Sequence, residues 1–225
     1  MGNIQPLAKF IAHPLATMKI EEKKLKVLES AGKLILKYGV KSMTMDEIAR
    51  ELGMSKKTLY QYVEDKNDLI KQIIQMDMQM DHDQICAIVD RKLNAIDESF
   101  EIFKRIVQNI GDVPPNILYD LKKYHPEAYS IHKNFMWTFS KKCVEENLVK
   151  GVAEGYYRQD INTSVISTNY ILMVLNIFEN SETFGKDMLP VKIYREIFLY
   201  HIHAIAGNKG RKYLSDNYAS MNFNQ

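Results

Sequence analysis

The sequence predicts an all-α protein, with a three-helix unit near the N-terminus and a larger helical unit after it. Three observations carry that reading. Apolar residues recur at threes and fours through most of the 225 residues, the spacing of one helical face. The breaks between periodic stretches are short and carry Gly or Pro, as at 111–115, 125–126, 155–160, 185–190 and Gly207. No stretch alternates polar and apolar residues long enough to make a convincing strand.

Residues 1–17 lack periodicity and hold Pro6 and Pro14, so a flexible tail is expected there, with the first helix opening at Met18. Leu25, Leu28, Ala31, Leu34, Ile35 and Tyr38 form the apolar face of that helix, and Gly39 supplies the left-handed residue that ends it. Thr44 and Glu47 form a capping box, hydroxyl to amide and carboxylate back to amide, for a second helix burying Ile48, Ala49 and Leu52. Gly53-Met54 makes a sharp turn. Ser55 then caps a third helix, roughly residues 56–63, with Leu59 and Val63 on its buried side. Its other face carries Lys56, Lys57, Thr58, Tyr60, Gln61 and Tyr62. Asp65 caps a long fourth helix with Leu69, Ile70, Ile73 and Ile74. The expected organisation is a tail at 1–17, a helix-turn-helix unit at 18–70 and a larger helical unit at 71–225.

In the larger unit, the fourth helix continues and segments follow near 97–110, 116–124, 126–154, 162–184 and 190–206, with a short helix after Asn208. The stretch 126–154 is apolar on two sides. Ala128, Ile131, Phe135, Met136, Phe139 and Cys143 share one face and Trp137, Val144 and Leu148 another, so it is sandwiched or lines a cavity. Segments 162–184 and 190–206 are apolar almost all round, from Tyr170 to Leu175 and again at Ile193, Tyr194, Ile197 and Phe198. One side can bury against the chain's own core. A second copy is the economical partner for the other, which predicts a homodimer through these last two long helices.

Composition excludes more than it assigns. Hydrophobic residues at 46% and charged residues at 26% are ordinary for a soluble protein. A net charge of +2 lacks the strongly basic signature of many nucleic-acid binders. From Met18 to Lys71 twelve basic and nine acidic residues give +3, leaving the remainder close to neutral. Cys86 and Cys143 stand far apart with no C-x-x-C, as expected of thiols in a reducing cytoplasm. The longest apolar run, Tyr170 to Leu175, is too short to span a bilayer, and no signal peptide opens the chain. A cytoplasmic location is expected. No G-x-S-x-G, P-loop or dinucleotide pattern occurs. His201 and His203 diverge on a helix, as do the consecutive Asp81, His82 and Asp83, and His125 and His132 lack a third ligand. No catalytic site, metal site or cofactor is expected, and the chain does not read as an enzyme.

A short polar helix exposing donors, joined by a glycine-bearing turn to an amphipathic partner, suits a recognition helix in the major groove; a plain helical hairpin with a solvated lysine face is the alternative. Residues from about Lys24 to Ile74 resemble the DNA-binding domain of the TetR (tetracycline repressor) family of bacterial regulators. The matching positions are Ala31, Gly39, Thr44, Ile48-Ala49, Leu52-Gly53-Met54-Ser55, Thr58-Leu59-Tyr60, Tyr62, Lys66 and Leu69. Lys57 departs from the family, where a small residue is frequent, and so does Val63, where phenylalanine is usual.

The resemblance implies that Thr44, Tyr60, Tyr62 and Lys66 hold the phosphate backbone while Ser55, Lys56, Lys57 and Thr58 lie at or near base edges. Lys56 or Lys57 suits guanine O6 and N7. It also implies an inverted-repeat operator in double-stranded DNA, a homodimer and a small-molecule effector of the larger unit. Phe100, Phe103, Phe135, Met136, Phe139 and Met173 are candidates to line the effector cavity, or equally to fill an ordinary core. A mostly apolar ligand is expected, since the central helices offer few obvious buried charges. The reading is a homodimeric repressor released from DNA by that ligand. The alternatives are an effector-independent regulator or nucleoid-organising protein, and a helical hydrophobe carrier whose N-terminal unit is only scaffold.

Overall fold

The computed structural model describes residues 22–111, 113–114, 117–179 and 189–218; the expected tail at 1–17, the helix start at Met18 and most of the break at 185–190 lie outside them. Helix α1 (Glu22–Tyr38) buries Val27, Leu28, Ala31, Gly32 and Ile35. Its face is rotated from the expected one: Val27 and Gly32 are buried, Leu25 and Leu34 are half-buried and Tyr38 is exposed. Gly39, at φ +90°, ends the helix by donating its amide to the Ile35 carbonyl.

Helix α2 (Met45–Glu51) starts from the expected capping box at Thr44 and Glu47. It closes in a Schellman turn: Met54 N donates to Ala49 O at 3.0 Å and Gly53 N to Arg50 O at 3.0 Å. Gly53 sits at φ +67°, which a side chain there would strain. Helix α3 (Lys56–Leu59) is shorter than expected. Residues beyond Leu59 continue as a tight turn with i→i−3 bonds, Gln61 N to Thr58 O and Tyr62 N to Leu59 O. Leu59 and Val63 are both buried, as the pattern implied.

Helix α4 (Lys66–Val89) is capped by Asp65, whose carboxylate accepts from Asp68 N at 2.8 Å. It packs on α1, where a Cβ placed on Gly32 would lie 3.3 Å from Ile73 Cγ2. Its length carries it into the larger unit, so the division expected between residues 70 and 71 falls inside a helix that serves both units.

The larger unit comprises α5 (Ala95–Ile110), α6 (Ile117–Tyr124), α7 (Pro126–Phe135), α8 (Lys141–Ala153), α9 (Thr163–Glu179), α10 (Pro190–Ile205) and α11 (Asn208–Tyr218). Helix α7 passes into α8 through a π-helical turn, Met136–Ser140, inside the single segment that periodicity predicted. Packing runs α4 on α7 and α5, α5 on α8 and α10, and α9 on α8, α10 and α6. No strand occurs among the described residues, only an isolated antiparallel bridge between Tyr157 and Ala206.

A buried polar network joins α5 to α8. Asn147 Nδ2 donates to Glu98 Oε1 at 2.7 Å and to the Ala95 carbonyl at 3.0 Å. Lys150 Nζ meets Glu98 Oε2 at 2.7 Å. The Tyr157 hydroxyl donates to Asn147 Oδ1 at 3.0 Å and Ala95 O at 3.1 Å. Few charges were expected between the central helices; among the described residues Glu98, 4% exposed, is the buried carboxylate, and Lys150 pairs with it.

Two stability predictions arise here. A Cβ on Gly151 would fall 2.0 Å from Cδ2 of the anchored Tyr157 ring. Gly151→Ala should cost about 1–3 kcal/mol in urea unfolding. On α4, burial pushes the Asp77 carboxyl up to about 6, with Asp81 and Glu29 adding to the rise. The native state then holds a proton that the unfolded chain releases between about pH 4 and 6, so stability falls as pH rises through that window. Asp77→Asn should stabilise the fold by about 1–3 kcal/mol near pH 7.5 and give no gain near pH 3.5, read from urea midpoints at the two pH values.

Candidate nucleic-acid interface

The N-terminal unit presents α3 and the turn after it as a polar surface on a rigid base. Leu59 is fully buried beneath α3, while Lys56, Lys57, Tyr60 and Gln61 are exposed. Thr58 and Tyr62 are half-buried, so the expected exposed face is narrower than the sequence implied.

The hydroxyl groups are occupied by caps. Thr44 Oγ1 accepts from Glu47 N at 3.3 Å and donates to Glu47 Oε2 at 2.8 Å, while the Thr44 amide donates to the same Oε2 at 2.8 Å. These bonds hold the Glu47 carboxyl below the usual carboxylate range. Ser55 Oγ accepts from Thr58 N at 3.1 Å and pairs with Thr58 Oγ1 at 2.8 Å. Ser55 and Thr58 thus fix the start of α3.

The cations divide into paired and unpaired. Lys56 Nζ lies 2.8 Å from Asp46 Oδ1 of α2, and that hydrogen bond raises its pKa. Lys57 forms no ion pair among the described residues, which leaves its charge to an incoming anion. Lys66, at the start of α4, is half-buried; desolvation lowers its pKa and nearby Glu47 opposes that. Ser55, Lys56, Lys57, Thr58 and Tyr60 thus lie on α3 and its two ends, Thr44 caps the far end of α2, and Lys66 at the start of α4 is near enough to Glu47 to feel its charge. His125 Nδ1 lies 2.6 Å from Asn67 Oδ1 and anchors the start of α4 to the α6–α7 corner. That contact spans 58 positions and left no sequence signal.

The four phenylalanines suggested for an effector cavity fall into two sets of ring contacts. Phe100 and Phe103 are buried in the α5–α10–α11 core, with Phe100 stacked 3.7 Å from Tyr218 and Phe103 4.1 Å from Phe198. Phe135 and Phe139 meet each other at 5.0 Å, with His82 4.6 Å from Phe139. Met136 and Met173 are partly buried against the core. A cleft of about 340 Å³ opens elsewhere, between the end of α4, α5 and α8, lined by Val89, Leu93, Glu98, Cys143, Glu146 and Lys150 among others. It contains none of the phenylalanine or methionine candidates and is edged by charge.

The histidine readings also change. His82 Nδ1 does meet Asp83 Oδ1, at 2.9 Å, despite their adjacent positions, while Asp81 turns to Arg105 and Asn109. His201 lies 4.3 Å from the Tyr170 ring, and burial lowers its pKa to about 4; His203 is exposed. Among the described residues no group of three or more His, Cys, Asp or Glu side chains is placed to hold a metal ion, and no helix is long and apolar enough to cross a membrane.

Residues 27–73 match the bacterial regulatory proteins of the tetR family. The uncharacterized HTH-type transcriptional regulator YvaF of Bacillus subtilis is 29% identical over 105 residues, 46% of this chain and 55% of that protein. An HTH-type transcriptional regulator of Staphylococcus aureus is 40% identical over 58 residues, 26% of this chain and 31% of that protein. The chain thus spans about half the length of the first relative and a third of the second. A TetR-family regulator of Agrobacterium tumefaciens aligns with a TM-score of 0.67 at 14% identity, over 82% of this chain and 98% of that one. The ketosteroid transcriptional regulator of Mycobacterium tuberculosis aligns at 0.58 and 16%, over 84% and 98%. A regulator of Saccharomonospora viridis in complex with choline aligns at 0.64 and 17%, over 83% and 99%. At these identities the structural likeness shows the fold, not the ligand.

If Lys57 reads a base, Lys57→Ala should weaken binding to the best duplex by about 5- to 100-fold and relax one position of the site. If it meets only phosphate, all sequences should lose affinity equally. An unchanged binding titration would refute both.

Proposed function

From the premise that this chain is a DNA-binding transcriptional regulator of the TetR family, we propose a homodimeric repressor that a small ligand releases from an inverted-repeat operator. The observation that carries the proposal is the face of Lys57 and Tyr60, exposed on a helix whose start is held by the Ser55 cap and the Gly53 turn. In this reading Lys57, with Lys56, Ser55 and Thr58, approaches base edges. Thr44, Tyr60, Tyr62 and Lys66 grip phosphates.

Dimerisation is supported by the apolar side chains left outside the fold. Val165 and Leu172 on α9 are about half exposed and Tyr200 on α10 is 70% exposed. Covering them with the same face of a second copy would remove this surface from water and form a four-helix interface. The rest of the outer stripe of α10, with Lys192, Glu196 and His203, is polar, so α9 supplies more of the apolar contact than sequence alone suggested.

Ligand control is the finer part of the proposal. Solved proteins of this fold include a ketosteroid regulator and one bound to choline, which makes a small molecule the natural effector class here too. The cleft beside Val89 touches the far end of α4, so an occupant there would bias the helix that carries α3. Its lining sets Val89, Leu93 and Cys143 beside Glu98, Glu146 and Lys150, which suits a ligand with an apolar body and a polar group. Such control requires different affinities for two arrangements of α4.

Selection from random duplex DNA tests the reading. The enriched sites should be inverted repeats with half-sites about 34–36 Å apart, or a multiple of that. Sedimentation at micromolar concentration should give twice 26.2 kDa. A 26.2 kDa species alone, or no enrichment, would overturn it.

A further inference from the structure

A second basic surface lies beside the helix-turn-helix, on α6 and the turn after α1. Lys41, three residues before Thr44, holds its Nζ 5.4 Å from the centre of the Tyr124 ring at the end of α6. Lys123 Nζ is 5.3 Å from the same ring and 5.7 Å from that of Tyr119. Lys122 Nζ is 5.7 Å from the ring of Tyr129. All three lysines are exposed, and none of them forms an ion pair among the described residues. The contrast with their neighbours is informative: Lys71 on α4 has Glu127 at 3.8 Å and Lys56 has Asp46. Asp120 is the one carboxylate of α6 itself, and it is half-buried.

Aromatic faces steady an ammonium group without cancelling its charge. Lys41 and Lys123 share the Tyr124 ring, while Lys122, on the next face of α6, lies over Tyr129, whose hydroxyl donates to Glu179; none of the three has an ion pair among the described residues, so they keep counterions that a polyanion can displace. The surface is also fixed to the proposed DNA-binding face. The His125–Asn67 hydrogen bond ties the α6–α7 corner to the first turn of α4, next to Lys66.

We propose that Lys41, Lys122 and Lys123 form a second phosphate-binding site, gripping the duplex backbone outside the groove that takes α3. The proposal rests on the DNA-binding reading above and extends it to a helix of the larger unit. Phosphate contacts position a protein and carry no sequence information, so this surface adds affinity for any duplex. It also makes DNA occupancy sensitive to where α6 sits, a helix that packs on α7 and α9.

The test compares the full chain with Lys122→Ala/Lys123→Ala, thermal melting confirming that both fold alike. Each is titrated onto a duplex selected from the random pool and onto a scrambled duplex of equal length, from about 50 to 200 mM salt. The double variant should bind both duplexes more weakly by the same factor. Its slope of log affinity against log salt should flatten by about 1–2. Lys122→Arg/Lys123→Arg should keep the original slope. An unchanged slope and affinity for the alanine variant would overturn the proposal, and so would a loss confined to the selected duplex. Loss of binding to phosphatidylserine vesicles with an unchanged DNA slope would overturn it as well, assigning the surface to membrane. If the unaltered chain shows no salt-dependent duplex binding at all, the DNA-binding reading itself has failed, a result distinct from a normal slope that the variant leaves intact.

Discussion

One helix buried on two sides organises this molecule. Leu69, Ile70, Ile73 and Met76 of α4 belong to the core beneath the N-terminal unit, while Met78 and Ile85 are buried further along, within the larger unit. Fully burying such side chains contributes about 1.5–3 kcal/mol each, so neither end of α4 can leave its core cheaply. Close-packed interiors move in blocks rather than by continuous bending. The orientation of α3 relative to the larger unit is therefore set by how α4 lies, and Asp77 and Asp81 are carboxylates on that helix whose burial works against the fold.

The candidate interface separates positioning from contact. Thr44, Glu47, Ser55 and Thr58 spend much of their hydrogen-bonding capacity on helix starts, and Asp46 neutralises Lys56. Lys57 is exposed with no ion pair among the described residues, Tyr60 is exposed beside it, and the ammonium of Lys66 is half-buried. A net charge of +2 over the whole chain conceals this local surplus, because acids on α2 are used internally.

Much of this was legible from residues alone. The 3.6-residue period located the helices within a few positions, since burial of one face is what forms them. Thr44, Gly53, Ser55 and Asp65 marked their boundaries because caps and left-handed turns demand particular side chains. Contacts between distant positions were not legible. Glu98 with Lys150, His125 with Asn67 and Lys41 with Tyr124 join residues dozens of places apart, and each looked like an ordinary surface residue. For the same reason the ring partners of the phenylalanine candidates were not legible: Phe103 meets Phe198, and Phe135 meets Phe139. Tyr38 and the end of α3 failed for a different reason: periodicity marks an apolar face only to within a residue or so of rotation, and it does not show where a helix tightens into a turn, as at Leu59.

The π-helical turn at Met136–Ser140 has a bearing on how α7 and α8 face their neighbours. An extra residue in a helix advances everything after it by about 100° without opening a loop. Helix α7 can thereby seat Ala128 and Tyr129 in the core while packing on α4 and α6, and α8 can aim Asn147, Leu148 and Gly151 toward its own neighbours, α5 and α9. The two helices are thus one continuous element with two phases, and shortening the π turn by a residue would turn the buried face of α8 away from α5 and α9.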